Sequence, residues 1–81
     1  MENRVAIIGI ILEDKSSVKD INDILHQYSD YIIGRMGIPY IKKNIYVINI
    51  VLDAPLDIIN ALSGKIGKIK GVTTKTISSN K

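Results

Sequence analysis

The sequence predicts an α+β fold: four strands and two helices in the order βαββαβ, forming a single domain over residues 1–81. Three observations carry this. Two long apolar runs, Val5 to Leu12 and Ile45 to Leu52, have the length and β-branched content of buried strands. Each is followed by a segment whose apolar residues recur at helical spacing. Turn residues then lead the chain out of each helix into another strand.

The first strand, Val5 to Leu12, stops at the polar stretch Glu13-Asp14-Lys15-Ser16-Ser17. Ser17 reads as a helix N-cap, with Asp20 in the capping-box position. Val18, Ile21, Ile24, Leu25 and Tyr28 form the inner stripe of a helix over 17–29, with Lys19, Asp20, Asn22, Asp23, His26 and Gln27 opposite. Tyr31-Ile32-Ile33 begins the second strand, and Gly34, Gly37 and Pro39 interrupt it, as expected of a bulged edge strand. Lys42-Lys43-Asn44 is the hairpin turn, Asn tolerating a left-handed backbone. Ile45 to Leu52 is the third strand.

Asp53 reads as the cap of the second helix, with Pro55 in its first turn. Ile58, Ala61, Leu62, Lys65 and Ile66 mark its inner face, and Gly67 stops it. Gly64 weakens the helix by about 1 kcal/mol relative to Ala, so close packing is expected there. Lys70-Gly71 turns the chain into the fourth strand, Val72 to Ile77, and Ser78 to Lys81 form a polar tail. This order fits the split-βαβ, ferredoxin-like sandwich: a four-stranded antiparallel sheet with two helices on one face. The strand order is 4-1-3-2, with strands one and three central.

Composition narrows the chemistry. There is no Cys, which excludes disulfides, thiolate metal sites and a cysteine nucleophile. A single His excludes a His-rich metal cage. With no Trp or Phe, the core is aliphatic. The net charge of +3 comes from scattered bases, which suits a solvated surface better than a DNA-binding face. The apolar run after Arg4 is too short for a membrane span and has no cleavage-site pattern, so a cytoplasmic protein is expected.

A sheet covered on one side should alternate apolar and polar residues. Strands one and three do not. Ala6, Ile8, Ile10 and Leu12 point one way, yet Val5, Ile7 and Ile11 point the other; Ile48, Ile50 and Leu52 likewise oppose Ile45, Val47 and Val51. Two helices cannot cover both faces. A bare apolar face of several hundred Å² is worth on the order of 10 kcal/mol if buried, and such patches mark interaction surfaces. Val5, Ile7, Ile11, Ile45, Val47 and Val51 are therefore the expected oligomer interface of a homodimer or tetramer.

The remaining motifs are sparse. Gly64-Lys65-Ile66-Gly67-Lys68 lacks the spacing and the Ser or Thr of a phosphate loop. His26 lies on a polar helix face with no ligand set of metal-site spacing. Arg35 sits between Gly34 and Gly37, where a guanidinium beside exposed backbone N–H groups could hold a carboxylate or phosphate; a glycine bulge with Arg35 paired to an acid is the competing reading. Arg35, Gly37 and Pro39 are the candidate ligand- or partner-binding residues. No catalytic residue, metal ligand or cofactor is assigned.

Arg35-Met36-Gly37-Ile38-Pro39 resembles the R-x-G-x-P segment of a family of regulators of the iron-only hydrogenase system. Ala61-Leu62-Ser63-Gly64-Lys65-Ile66-Gly67, with Ile69 and Gly71-Val72, resembles that family's A-L-S-G-K segment, and the pattern around Asn22, Leu25 and His26 also fits. The resemblance implies a ferredoxin-like regulatory domain similar to ACT domains and to the ligand-binding domain of the nickel-responsive repressor. It implies a cytoplasmic transcriptional regulator, and with no Cys nucleophile, no paired acids at a plausible site and one His the chain is not expected to be an enzyme. The repressor's His and Cys nickel ligands have no counterpart here beyond His26, and the loop after the first strand lacks the Gly usual in ACT domains. The repressor's DNA-binding arm has no counterpart either, so direct DNA binding is not expected and regulation would run through a small-molecule effector or a partner regulator protein. A non-catalytic assembly adaptor for metalloenzyme maturation, or a small ferredoxin-like enzyme, are the alternatives.

Overall fold

The computed structural model describes residues 2–80. Its elements are β1 (Asn3–Leu12), α1 (Val18–Gln27), β2 (Ile32–Tyr40), β3 (Ile45–Pro55), α2 (Leu56–Gly67) and β4 (Val72–Ser78). The sheet order is β2-β3-β1-β4 and every pairing is antiparallel, which is the expected ferredoxin-like arrangement. Residue 81, the end of the expected polar tail, lies outside the described residues.

Both helices lie on one face, here called the front. Ala6, Ile8, Ile10 and Leu12 of β1 and Ile48, Ile50, Leu52 and Ala54 of β3 point into it and are at most 1% exposed. Ile21, Leu25 and Tyr28 of α1 and Ile59, Leu62 and Ile66 of α2 close the core from above. The aliphatic composition thus becomes one core, with Lys65 Nζ 5.0 Å from the centre of the Tyr28 ring at the helix–helix seam.

Several local expectations are corrected. Asp53 does not cap α2. It pairs with Val5 because β3 runs on to Pro55 opposite Asn3, which keeps Ala54 in the core. The helix starts after Pro55 without a side-chain cap, and Asp57 accepts from the Ile58 N–H at 2.9 Å. Ser17 caps nothing either, because a 3-10 turn (Lys15–Ser17) precedes α1 and Asp14 caps that turn through Ser16. Ile59, not Ala61, faces the core, because it lies three residues before Leu62 and seven before Ile66 on the same helical stripe. Gly64 is not packed closely: a Cβ there would meet nothing within 4 Å.

The two sheet edges differ. β2 has a register shift between Ile32 and Gly34, and Pro39 removes a backbone donor near its end. Both devices make an edge a poor template for another strand. β4, at the opposite edge, pairs regularly with β1 from Val72 to Ser78. The hairpin turns at Asn44, whose φ of 55° is the left-handed conformation that Asn tolerates.

Candidate functional site

Two regions hold the residues singled out in the sequence. They lie on opposite faces of the sheet.

The first is the front side of the β2 edge. Arg35, Gly37 and Pro39 pair with Ile50, Ile48 and Tyr46, so all three point to the helix side. Arg35 Nη2 donates to Asn22 Oδ1 of α1 and ties the edge strand to the helix. Among the described residues its partner is an amide oxygen rather than an acid. Gly37 lies under the Tyr46 ring: a Cβ there would sit 3.1 Å from Tyr46 Oη and 3.2 Å from Tyr46 Cε1. The three motif positions thus hold a strand–helix tie, a flat seat for an aromatic ring and a break in the edge. His26, one helical turn beyond Asn22, is exposed.

The second region is the rear face. Val5 is 44%, Ile7 45% and Ile11 42% exposed, against 0% for Ile8 between them. Register places them in cross-sheet rows. One row is Gly34, Val51, Ile7, Ile77; another is Ile38, Val47, Ile11, Thr73; between them runs Met36, Asn49, Gly9, Lys75. Ile45, the last of the six interface candidates, follows at the hairpin end opposite Tyr40. The middle row is low at Gly9, and the groove there has a volume of about 270 Å³. The rear face is continuous and mainly apolar, with one amide and one ammonium along its middle line.

The exposed surface is 5327 Å², above the roughly 4,900 Å² of a compact monomer of this mass. Four strands about 4.8 Å apart and about seven paired residues of about 3.3 Å rise give a face on the order of 440 Å² in projection. A standard interface takes roughly 800 Å² of accessible surface from each partner.

A hollow at the start of α1 is lined by Ser17, Asp20, Asp23, Ile24 and Lys68 to Lys70. It is wide and mixes both charge signs, so it selects neither an anion nor a cation. Beside it, Asp14 is held below the usual carboxylate range by the Ser16 hydroxyl, then the Ser16 N–H, with the Lys70 charge adding a little. Among the described residues no group of three His, Cys, Asp or Glu could hold a metal ion.

Sequence reasoning found the bare rear face from two apolar runs that refuse to alternate. It missed the Arg35–Asn22 tie, the Gly37–Tyr46 contact and the Thr76 Oγ1 to Ser63 Oγ hydrogen bond of 2.9 Å, which joins β4 to the A-L-S-G-K segment. Each joins residues far apart in sequence, and no periodicity carries that information.

A family model described as "TM1266-like: Iron-only hydrogenase system regulator, putative" matches residues 4–76. Among solved structures, the protein TM1266 from Thermotoga maritima superposes with a TM-score of 0.91 at 37% identity, covering 95% of this chain and 98% of that one. A formyltetrahydrofolate deformylase from Pseudomonas putida KT2440 matches with a TM-score of 0.68 at 12% identity, over 95% of this chain and 29% of its own. LarC2, the C-terminal domain of a cyclometallase involved in the synthesis of the NPN cofactor of lactate racemase, matches with a TM-score of 0.52 at 16% identity, over 95% of this chain and 56% of its own. The last two show a shared fold alone. No curated protein matches the chain. The family match over most of the length and the close structural relative agree: this chain belongs to the TM1266-like family of iron-only hydrogenase system regulators.

Proposed function

We propose that the chain is a regulatory module of an iron-only hydrogenase system that works by binding rather than by catalysis. It self-associates through the rear sheet face. It receives a small-molecule effector or a partner regulator protein along the β2 edge at Arg35, Gly37 and Pro39, in the manner of ACT-like regulatory domains. Its effect on transcription runs through that partner, in the cytoplasm.

The observation that carries this reading is the bare apolar rear face in a chain of this family. Val5, Ile7, Ile11, Ile45, Val47 and Val51 stand together on it. No helix among the described residues is long and apolar enough to cross a membrane, so a helical membrane span does not account for the apolar face. The β2 edge adds a charged side chain at the rim, where partners are commonly oriented.

The test is genetic and physical. Deleting the gene should change the transcript level of the iron-only hydrogenase subunits, and the wild-type allele should restore it. An Ile7→Glu allele, monomeric by light scattering, should fail to restore it. Unchanged hydrogenase transcripts in the deletion strain would refute the regulatory reading. Full complementation by a monomeric variant would refute the role of self-association.

A further inference from the structure

Gly9 has no reason inside its own chain to be glycine. β1 pairs without a break with β3 and with β4 through this position, so no bulge is present. Gly71, not Gly9, carries the positive φ among the described glycines. A Cβ added at Gly9 would come no closer than 3.7 Å to Asn49 Oδ1, an ordinary contact. Alanine therefore fits, and glycine in a strand interior is the less stable choice. The remaining reason for glycine in mid-strand is close approach by something from outside the chain.

The surroundings indicate what approaches. Gly9 lies in a groove flanked by Ile11, Val47 and Thr73 and lined also by Asn49 and Lys75, with Ile7 and Val51 in the cross-sheet row on its other side. The face is on the order of 440 Å² in projection, and the apolar rows beside the groove, Ile7 with Val51 and Ile11 with Val47, are ridges that a second copy of the chain also carries. Asn49 stands beside Gly9, and its side chain has no hydrogen-bond partner among the described residues. Covered by a purely apolar partner, that amide would lose water and gain nothing. Covered by an identical face, it meets a second Asn amide, which both donates and accepts.

We propose that the rear face docks on a second copy of the chain with the Gly9 groove at the crossing point, and that the two Asn49 side chains hydrogen-bond across the two-fold axis and fix the register. One buried Asn in an apolar seam is known to set register and copy number at some expense of stability. The proposal rests on the self-association put forward above and names the residues that set its geometry.

The experiment is sedimentation equilibrium over a concentration series on the wild-type chain, Gly9→Ala, Asn49→Val and Ile7→Glu, with thermal unfolding of each. The wild type should form one oligomeric species. Gly9→Ala should raise the dissociation constant about tenfold or more, because the methyl holds the faces apart. The same substitution in the monomeric Ile7→Glu background should raise the melting temperature, since alanine is the better strand residue once nothing packs there. Asn49→Val should still associate, but into more than one species. If the wild type associates, while Gly9→Ala changes the dissociation constant less than twofold and Asn49→Val stays a single species, the keying is wrong and self-association survives. A wild type that stays monomeric sinks the proposed interface and this inference together.

Discussion

Asp14 occupies the space that a side chain on Gly71 would need. A Cβ built on Gly71 would lie 2.6 Å from Asp14 Cβ and 3.0 Å from the Asp14 nitrogen. Gly71 also has a φ of 78°, and its carbonyl accepts from the Glu13 N–H at 2.8 Å. The connection from β1 to α1 and the connection from α2 to β4 are therefore pressed together at one point, backbone against backbone.

Gly71→Ala should cost about 3 kcal/mol or more, combining left-handed strain with a backbone overlap that no rotamer relieves. Gly67→Ala is the contrast. Its Cβ would sit 3.6 Å from Thr74 Cγ2, so stability should change by less than about 1 kcal/mol. Urea unfolding of both variants checks this, and a mild Gly71→Ala would contradict the crowding at Asp14.

Neighbouring residues on β1 should respond oppositely. Ile8→Ala empties a fully buried position and should cost about 2–5 kcal/mol in denaturant unfolding. Ile7→Glu, on the rear face, should leave the circular dichroism spectrum native and remove the higher-mass species in light scattering. A native-like dimer in Ile7→Glu would exclude this face as the interface.

Gly37→Ala should destabilise by about 1–2 kcal/mol, because the Tyr46 ring must move off its seat. In a Tyr46→Ala background the same change should cost almost nothing, a coupling that a double-mutant cycle reads directly. Arg35→Ala removes only an exposed tie to Asn22 and should cost less than about 1 kcal/mol of folding stability. Any larger loss, read as effector or partner binding by calorimetry, then belongs to the site rather than to the fold.

Asp14 has a lowered pKa in the folded chain, chiefly from the Ser16 hydroxyl and then its N–H. Its contribution to stability is present above the ordinary carboxylate range and is lost as pH falls through the lowered value. Lys19 is raised by its hydrogen bond to and charge attraction from Asp23, so that pair contributes below the ordinary lysine range and is lost as pH rises through the raised value. Asp14→Ala should flatten the acid side of the stability curve and leave the alkaline side unchanged. Melting temperature against pH for both chains measures it.

The element order and strand order were legible because two β-branched runs and two amphipathic stripes leave few topologies open. The rear face was legible for the same reason: Val5, Ile7 and Ile11 sit where a covered sheet would carry polar side chains. The start of α2 was not. Asp53 next to Ala54-Pro55 looks like a cap, and only the pairing of β3 with the first residues of β1 makes it a strand residue. Gly64 within a helix suggests close packing, yet space around it is open, and nothing within the chain explains it. At the β2 edge, the roles of Arg35 and Gly37 depend on Asn22 and Tyr46, whose distance in sequence hides the contact.

The unequal flanks of the sheet limit what the molecule can build sideways. Only the β4 flank is regular enough to accept a further strand. Two molecules joined there would present a β2 flank at each outer end, bulged and proline-bearing. Lateral growth would stop at the pair, so even at high concentration this chain is poorly suited to feeding an open-ended fibre.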